Sequence, residues 1–530
     1  MCFTPEGDVS LIRYSQPSTG RARTQDMSPI ARRLLLLALL CVALAASLLA
    51  IPVFAQSTAP GGFLETTSST QVRSTAVPSM PSRGPFTFPS PYNTTGVRLT
   101  NETDCGGADC VDYIGYSFWR NTNYHVGSNT MLIFVTLDRN RGGAGPTLFS
   151  YNKTTDQVTK VRPLFDPSSP FSWATGEGWY WSPTMPTKLY ITDAVGPKLY
   201  RYDVNTTQLE VVFDVSSQFG SDKYIWQTHT SNDDKVHSAT LRRTSDYSTL
   251  GCVVYDENTK QFTYAPEVGD FDECQVDKSG RWLLIKENLD GLYGEDNAIF
   301  DLTTGQQTAT LLDQQGAAGH SDNGHGYMIP EDNWNNLPGA ARVWRFDQPL
   351  PGTPPQGLLV YNTTDWNVDL GHVSHANATA GVALDQQYAC LSRASRYSLP
   401  RANEIVCFRL DGSLQVLVVA PVMTDLNASG GGDDYGKLPK GNLDIGGQYF
   451  IWTTNLGGDR LDAFIVKVPS HLLVGQRPDL VETTVSNPPA AARPGTGFSV
   501  TDTASNQGRR DGRCVHNPLL SLARPGERWH

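Results

Sequence analysis

Hydrophobic and polar positions alternate along most of this chain, and no stretch beyond the first sixty residues sustains a helical period. The alternation comes in a recurring unit. A polar turn is followed by a strand rich in β-branched and aromatic residues, and then by further short strand runs such as 199–203 and 210–213. An eight-residue frame marks each unit; it starts at His125, His229, Gln275, His320 and Asn442, with looser copies at Trp181 and His372. Most copies lie about 45 to 55 residues apart, a spacing that belongs to propellers and other repeat arrays. Strands that end in Asn152, Asp203, Asp256, Asp301 and Asp411 lead into turns and supply hairpins inside the units. Such units cannot bury both faces alone, so they pack radially against one another. The pattern predicts an all-β chain: a seven-bladed β-propeller over residues 105–474, with disordered N- and C-terminal tails.

The flanks read differently. Arg32 and Arg33 precede an apolar run over 34–54 that ends in small residues, so 27–55 is expected to be a signal peptide or signal anchor, with Met27 as an alternative start. Residues 56–104 are rich in Ser, Thr and Pro and read as a disordered linker, and 475–530 as a disordered tail. Asn93, Asn101, Asn152, Asn205, Asn362, Asn377 and Asn427 begin glycosylation sequons, which suits a secreted glycoprotein. In an oxidising compartment disulfides are expected. Cys105 and Cys110 can close a short loop, while Cys252 with Cys274 and Cys390 with Cys407 flank strands of one repeat; the connectivity stays open, and Cys514 is left over. The Gly-rich segment 427–434 reads as a surface insertion rather than a lid.

A net charge of −11 and a pI near 5.4 argue against nucleic acid as a partner. They leave room for an anionic glycan, because a basic or metal-bearing funnel can oppose the global charge. No Gly-x-Ser-x-Gly elbow, phosphate loop or His-Glu-x-x-His motif is present, which removes support for serine hydrolase, nucleotide and zincin chemistry.

In a radial array, equivalent frame positions form a ring around the axis. Four of the seven first positions are His, in a chain with ten His among 530 residues. Imidazole binds divalent metals and transfers protons near neutral pH. His320, His372, His375 and Gln275 are therefore the expected ligands of a divalent ion (Mn, Ca or Zn), and His229 or His125 the expected base. Arg120, Tyr124 and His125 lie together where the first blade meets the funnel; Arg binds carboxylates bidentately, and Tyr and His serve as acid and base. Trp181, Asn442 and Arg242 are expected to contact substrate. Asp233, Asp234, Asp322 and Asp444 offer carboxylates for a glycoside hydrolase, although turns favour Asp for backbone reasons alone. His237 reads as core, and His325 sits in a turn.

With His229, Gln275, His320, His372 and His375 in this layout, the chain resembles the seven-bladed propeller polysaccharide lyases: oligogalacturonate lyases, ulvan lyases and rhamnose–glucuronate lyases. The resemblance covers the propeller and is architectural. It implies a secreted, monomeric, metal-assisted lyase that cleaves an acidic oligo- or polysaccharide by β-elimination, with no membrane partner unless the apolar segment stays as an anchor. A non-catalytic propeller that binds glycan or protein, and a glycoside hydrolase, are the alternatives.

Overall fold

The computed structural model describes residues 60–474 apart from short breaks at 76–78, 113–115, 194, 293, 318–320, 332–336, 348–355 and 363–370, together with strands at 12–14, 480–485 and 502–506. The expected signal segment, His320 and Cys514 lie outside the described residues.

Seven antiparallel sheets form the blades among the described residues. Blade 1 comprises Thr130–Leu137, Gly145–Asn152 and Val158–Pro163, with a bridge from Thr122 to Ile133 on its inner side. In blades 2 to 6 the innermost strands are Tyr180–Trp181, Lys223–Thr230, Asp270–Val276, Asp322–Asn323 and Gly371–Ser374, each followed outward by the next three strands of the chain. Blade 7 starts with Asn442–Leu443, Tyr449–Thr454 and Asp462–Lys467. Its outer strands come from the other end of the chain: Thr95–Arg98 pairs with Asp462–Lys467, and Gly84–Thr87 pairs with Thr95–Arg98. Phe63–Thr66 likewise adds a fifth strand to blade 6.

Much of the segment expected as a linker, 56–104, is therefore part of the ring. Its Ser, Thr and Pro content hides short outer strands that need only one buried face. Arg98 and Thr100 fasten the closure, both bonding to the buried Asp462 carboxylate at 2.8 Å. In the second compact unit, 474–530, Leu480–Val485 pairs with Asp502–Asn506.

Burial follows position in the blade. The outer strand Val158–Pro163 alternates between half-buried and exposed, whereas Asp296–Asp301, Tyr388–Arg393 and Tyr449–Thr454 are buried at every residue. Middle strands have a neighbouring blade on each face, so both faces must be apolar or paired. The core lies between blades: Ile133, Val135 and Phe149 of blade 1 pack on Tyr449, Ile451 and Ile465 of blade 7, and Cys252 and Val254 of blade 3 pack on Leu283 and Ile285 of blade 4. The disulfides are Cys105–Cys110, Cys252–Cys274 and Cys390–Cys407. Cys252–Cys274 joins blade 3 to blade 4 rather than closing one repeat, because Cys274 stands on the next inner strand. No helix among the described residues is long and apolar enough to cross a membrane.

The turns that follow the inner strands gather at one end of the axis. Asn232 N donates to Lys278 O at 2.8 Å, Lys278 N to Gly324 O at 3.1 Å, and His375 N to Asp322 Oδ2 at 2.6 Å. The starts of the inner strands mark the opposite end.

Candidate functional site

Two neighbouring inner strands each carry one extra residue. In blade 3, Trp226 faces Thr240 but His229 faces Ser238; in blade 4, Phe271 faces Glu287 but Glu273 faces Lys286. Bulges of this kind bend a strand and re-aim its side chains, and Gln227 takes a left-handed φ of 46° to make one of them. They bring His229 Nε2 to 3.6 Å from Glu273 Oε2. The other Glu273 oxygen accepts from Lys286 Nζ at 2.6 Å and Gln275 Nε2 at 2.8 Å, and Gln275 Oε1 accepts from Asn323 Nδ2 at 2.9 Å. The His229 ring stacks on Trp119 at 5.5 Å between centroids.

Burial sets the protonation states. It pushes the His229 imidazole down, with Glu273 opposing, so the ring is neutral at neutral pH and able to take a proton. Burial works to raise Glu273, but Lys286 and His229 overcome it and hold the carboxylate at about 2. The adjacent Asp272 is pushed up to about 7 by burial and by the carboxylates of Glu273 and Glu295.

Toward the turn end buried basic groups stand beside buried carboxylates such as Asp322 and Asp234. Arg120, 6% exposed, donates to Asn232 Oδ1, and among the described residues its guanidinium forms no ion pair. Asn232 also meets His325 Nε2 at 3.3 Å. Lys278 Nζ bonds to Asp322 Oδ1 at 2.6 Å. Burial lowers Arg120 and Lys278, and burial together with Lys278 brings His325 down to about 4. A recess of about 20 Å³, the size of one water, joins Arg120, Lys278 and Asp322 to Trp119, Tyr180 and His229.

The structure thus gathers Arg120, His229, Gln275 and the candidate carboxylate Asp322 around one recess, and the other described site residues lie elsewhere. His125 lies between blades 1 and 7, with Nε2 at 3.2 Å from Asp444 and Nδ1 at 3.2 Å from Lys153 Nζ; Tyr124 beside it is half-buried. Trp181 is fully buried in the apolar core and offers no ring face to a sugar. Asn442 is not free to bind substrate, because it clamps the backbone ahead of blade 1: its amide donates to Ser117 O and Trp119 O at 2.8 Å and accepts from Asn121 N at 3.2 Å. Arg242 stands over Trp226 at 5.8 Å, at the strand-start end.

The described members of the expected metal set, His372, His375 and Gln275, are bonded to different protein groups. His372 Nε2 meets Tyr116 OH at 3.0 Å, whereas His375 Nε2 meets Tyr327 OH at 2.7 Å and its Nδ1 meets Tyr388 O at 3.0 Å. Three positions along an extended strand carry the two rings to different ends, and both ends of Gln275 are hydrogen-bonded to protein. Among the described residues, Asp290, Asp296 and Asp313 alone bring three carboxylate or imidazole ligand atoms within 4.8 Å of one another, and none of them lines the recess.

His237 is core, bonded to Thr230 at 2.7 Å and Glu257 at 2.9 Å. Asp234 accepts from the hydroxyls of Ser182 and Tyr190 in blade 2, and Asp444 accepts from Gln448 N and Tyr449 N, so both turn acids are engaged by protein. Segment 427–434 does more than cover the surface: it leads into Asp434–Lys437, where Tyr435 OH reaches Tyr116 OH at 2.9 Å beside the axis. Sequence reading missed Glu273, Lys278 and Lys286. Glu273 lies two residues before a frame position on the same strand, a signal that alternation alone contains; nothing local marks Lys286 as its partner.

No family model matches the sequence, and no curated protein does. Solved structures are similar in fold. An oligogalacturonate lyase from Vibrio parahaemolyticus is 9% identical over 78% of this chain and 100% of its own, with a TM-score of 0.46. An oligogalacturonate lyase in complex with manganese is 11% identical over 74% and 99%, with a TM-score of 0.48. TolB from Acinetobacter baumannii is 12% identical over 64% of each chain, with a TM-score of 0.31. The likeness to all three is one of architecture.

Proposed function

We propose that the protein is a secreted polysaccharide lyase that cleaves a uronic-acid-containing glycan by β-elimination at the recess on the propeller axis. The observation that carries this is the pairing, in one recess, of a buried guanidinium with a neutral partner and an imidazole held neutral by burial. A uronate needs both. Arg120, helped by Lys278, neutralises the carboxylate and so acidifies the adjacent C5 proton. His229 takes that proton, and Glu273 stabilises the imidazolium that forms. The electron pair left at C5 becomes the C4–C5 double bond as the C4–O bond breaks. Tyr180, whose hydroxyl burial keeps protonated, returns a proton to the leaving oxygen. No step is routed through a metal, since the described members of the expected set do not converge. The disulfides agree with an oxidising compartment.

The recess volume, about 20 Å³, favours a second assignment, a non-catalytic propeller that binds glycan or protein, because a sugar can enter only if segment 116–120 or Asn232 moves. The test is incubation with polyuronides while following the ultraviolet absorbance of the unsaturated product. Product from the wild type and none from folded His229→Ala supports the lyase; binding with no product on any uronate establishes the second assignment.

A further inference from the structure

Away from the axis, a groove of about 540 Å³ lies between the outer strand of blade 1 and a hairpin of blade 2, within the size range of small-ligand sites. Phe165, Phe171, Tyr202 and Leu209 make it apolar. The rings pack as a group, Phe165 at 4.8 Å from Tyr202 and 5.1 Å from Phe171, while Leu209 is 43% exposed. Arg162 stands at the wall, but its guanidinium is used on backbone: it donates to Pro163 O at 3.0 Å, Leu164 O at 3.3 Å and Val204 O at 2.6 Å. It ties the two walls together and has no need of an anion. The groove therefore suits a neutral ligand with an apolar face.

Such a ligand is encoded beside it. The hairpin turn carries the sequon Asn205-Thr206-Thr207, and Thr207 is itself part of the groove wall. The turn is held rigidly: Asp203 Oδ1 accepts from Asn205 N at 2.8 Å and Thr206 N at 3.0 Å, and Thr207 N donates to Asp203 O at 2.8 Å. Those bonds use the Asn205 backbone and leave its side chain exposed. We infer that Asn205 carries an N-linked glycan and that its first N-acetylglucosamine units fold back into the Phe165–Phe171–Leu209 groove. The C–H face of a sugar covers aromatic and aliphatic carbon without displacing a charge, and attachment two residues from the wall makes the encounter intramolecular. This stands apart from the chemistry assigned to the axis.

The experiment is production of the full chain in a eukaryotic secretory host, with glycopeptide mass spectrometry of whole-cell and secreted material to read occupancy at Asn205. Native protein is then digested with an endoglycosidase that cuts between the first two N-acetylglucosamines. Release from Asn205 is expected to be about ten-fold slower in the wild type than in Phe165→Ser or in Leu209→Ser, whose exposed position spares the fold. Thr207→Ala removes the glycan, and Thr207→Ser restores it. An unmodified Asn205, or equal release from the wild type and Leu209→Ser, overturns the proposal.

Discussion

At the end of the axis built from turns, Arg120 and Lys278 stand beside His325 and His375; at the end where the inner strands begin, Asp272, Glu273 and Glu295 surround Lys286. Both clusters are buried, but they meet that cost differently. Lys286 and Glu273 compensate one another: burial would push Lys286 down, yet Glu273 holds it above its usual range. Among the described residues Arg120 forms no ion pair: its guanidinium donates to Asn232, a neutral acceptor, with the Asp234 and Asp322 carboxylates acting on it from further off, and burial lowers both imidazoles at its end. The Lys286–Glu273 pair fixes the carboxylate that backs His229, whereas a cation with no ion pair among the described residues keeps binding energy in reserve for an incoming anion.

The sharpest way to break this contrast is to remove one charge from each end. Arg120→Gln is expected to lower kcat/KM on a polyuronide by about a thousand-fold with the fold intact, while Glu295→Gln at the other end leaves it within about two-fold. Steady-state rates and circular dichroism check both. For stability the order reverses. Lys286→Met strands the Glu273 carboxylate and is expected to cost about 3–5 kcal/mol in denaturant unfolding. Asp272→Asn should show a signed pH dependence. The native state holds the Asp272 proton up to about 7, well above its usual range, so wild-type stability falls as pH rises from about 4 through about 7. The variant is therefore expected to gain about 4 kcal/mol over wild type at pH 8 and nothing at pH 4.

Smaller effects refine the comparison. His229 is held below its ordinary value, so the acid limb of kcat/KM is expected to fall below pH 6.5. Glu273→Gln removes the group that opposes this and should move the limb further toward acid. Chelation of divalent cations is expected to change turnover by less than about two-fold, since His375 and Gln275 already use their donor and acceptor atoms on protein.

Much of the ring was legible because a blade is a local object. The polar turn and alternating strand at His229, at Gln275 and at Asn442 lie close together in sequence, and each became the inner edge of a blade. Closure was not legible: Gly84–Thr87 and Thr95–Arg98 read as linker because the strand that seats the second of them in blade 7 is more than 360 residues away. Arg120 and His229 were marked by residue type and frame position, and they do share the recess. Frame position misled at Trp181 and Asn442, because it specifies depth along the axis and not whether a side chain meets funnel, neighbouring blade or backbone.

Period, turn chemistry and the count of β-branched and aromatic residues were thus enough to specify a seven-bladed array and to nominate its inner edge, since these follow from neighbours along the chain. Which nominees meet depended on two bulges, on the angle between blades 3 and 4 and on segment 116–120 lying beside the axis. Those are set by packing between strands far apart in sequence, and only the folded ring brings Glu273 to His229 and sets the Arg120 guanidinium against the neutral Asn232.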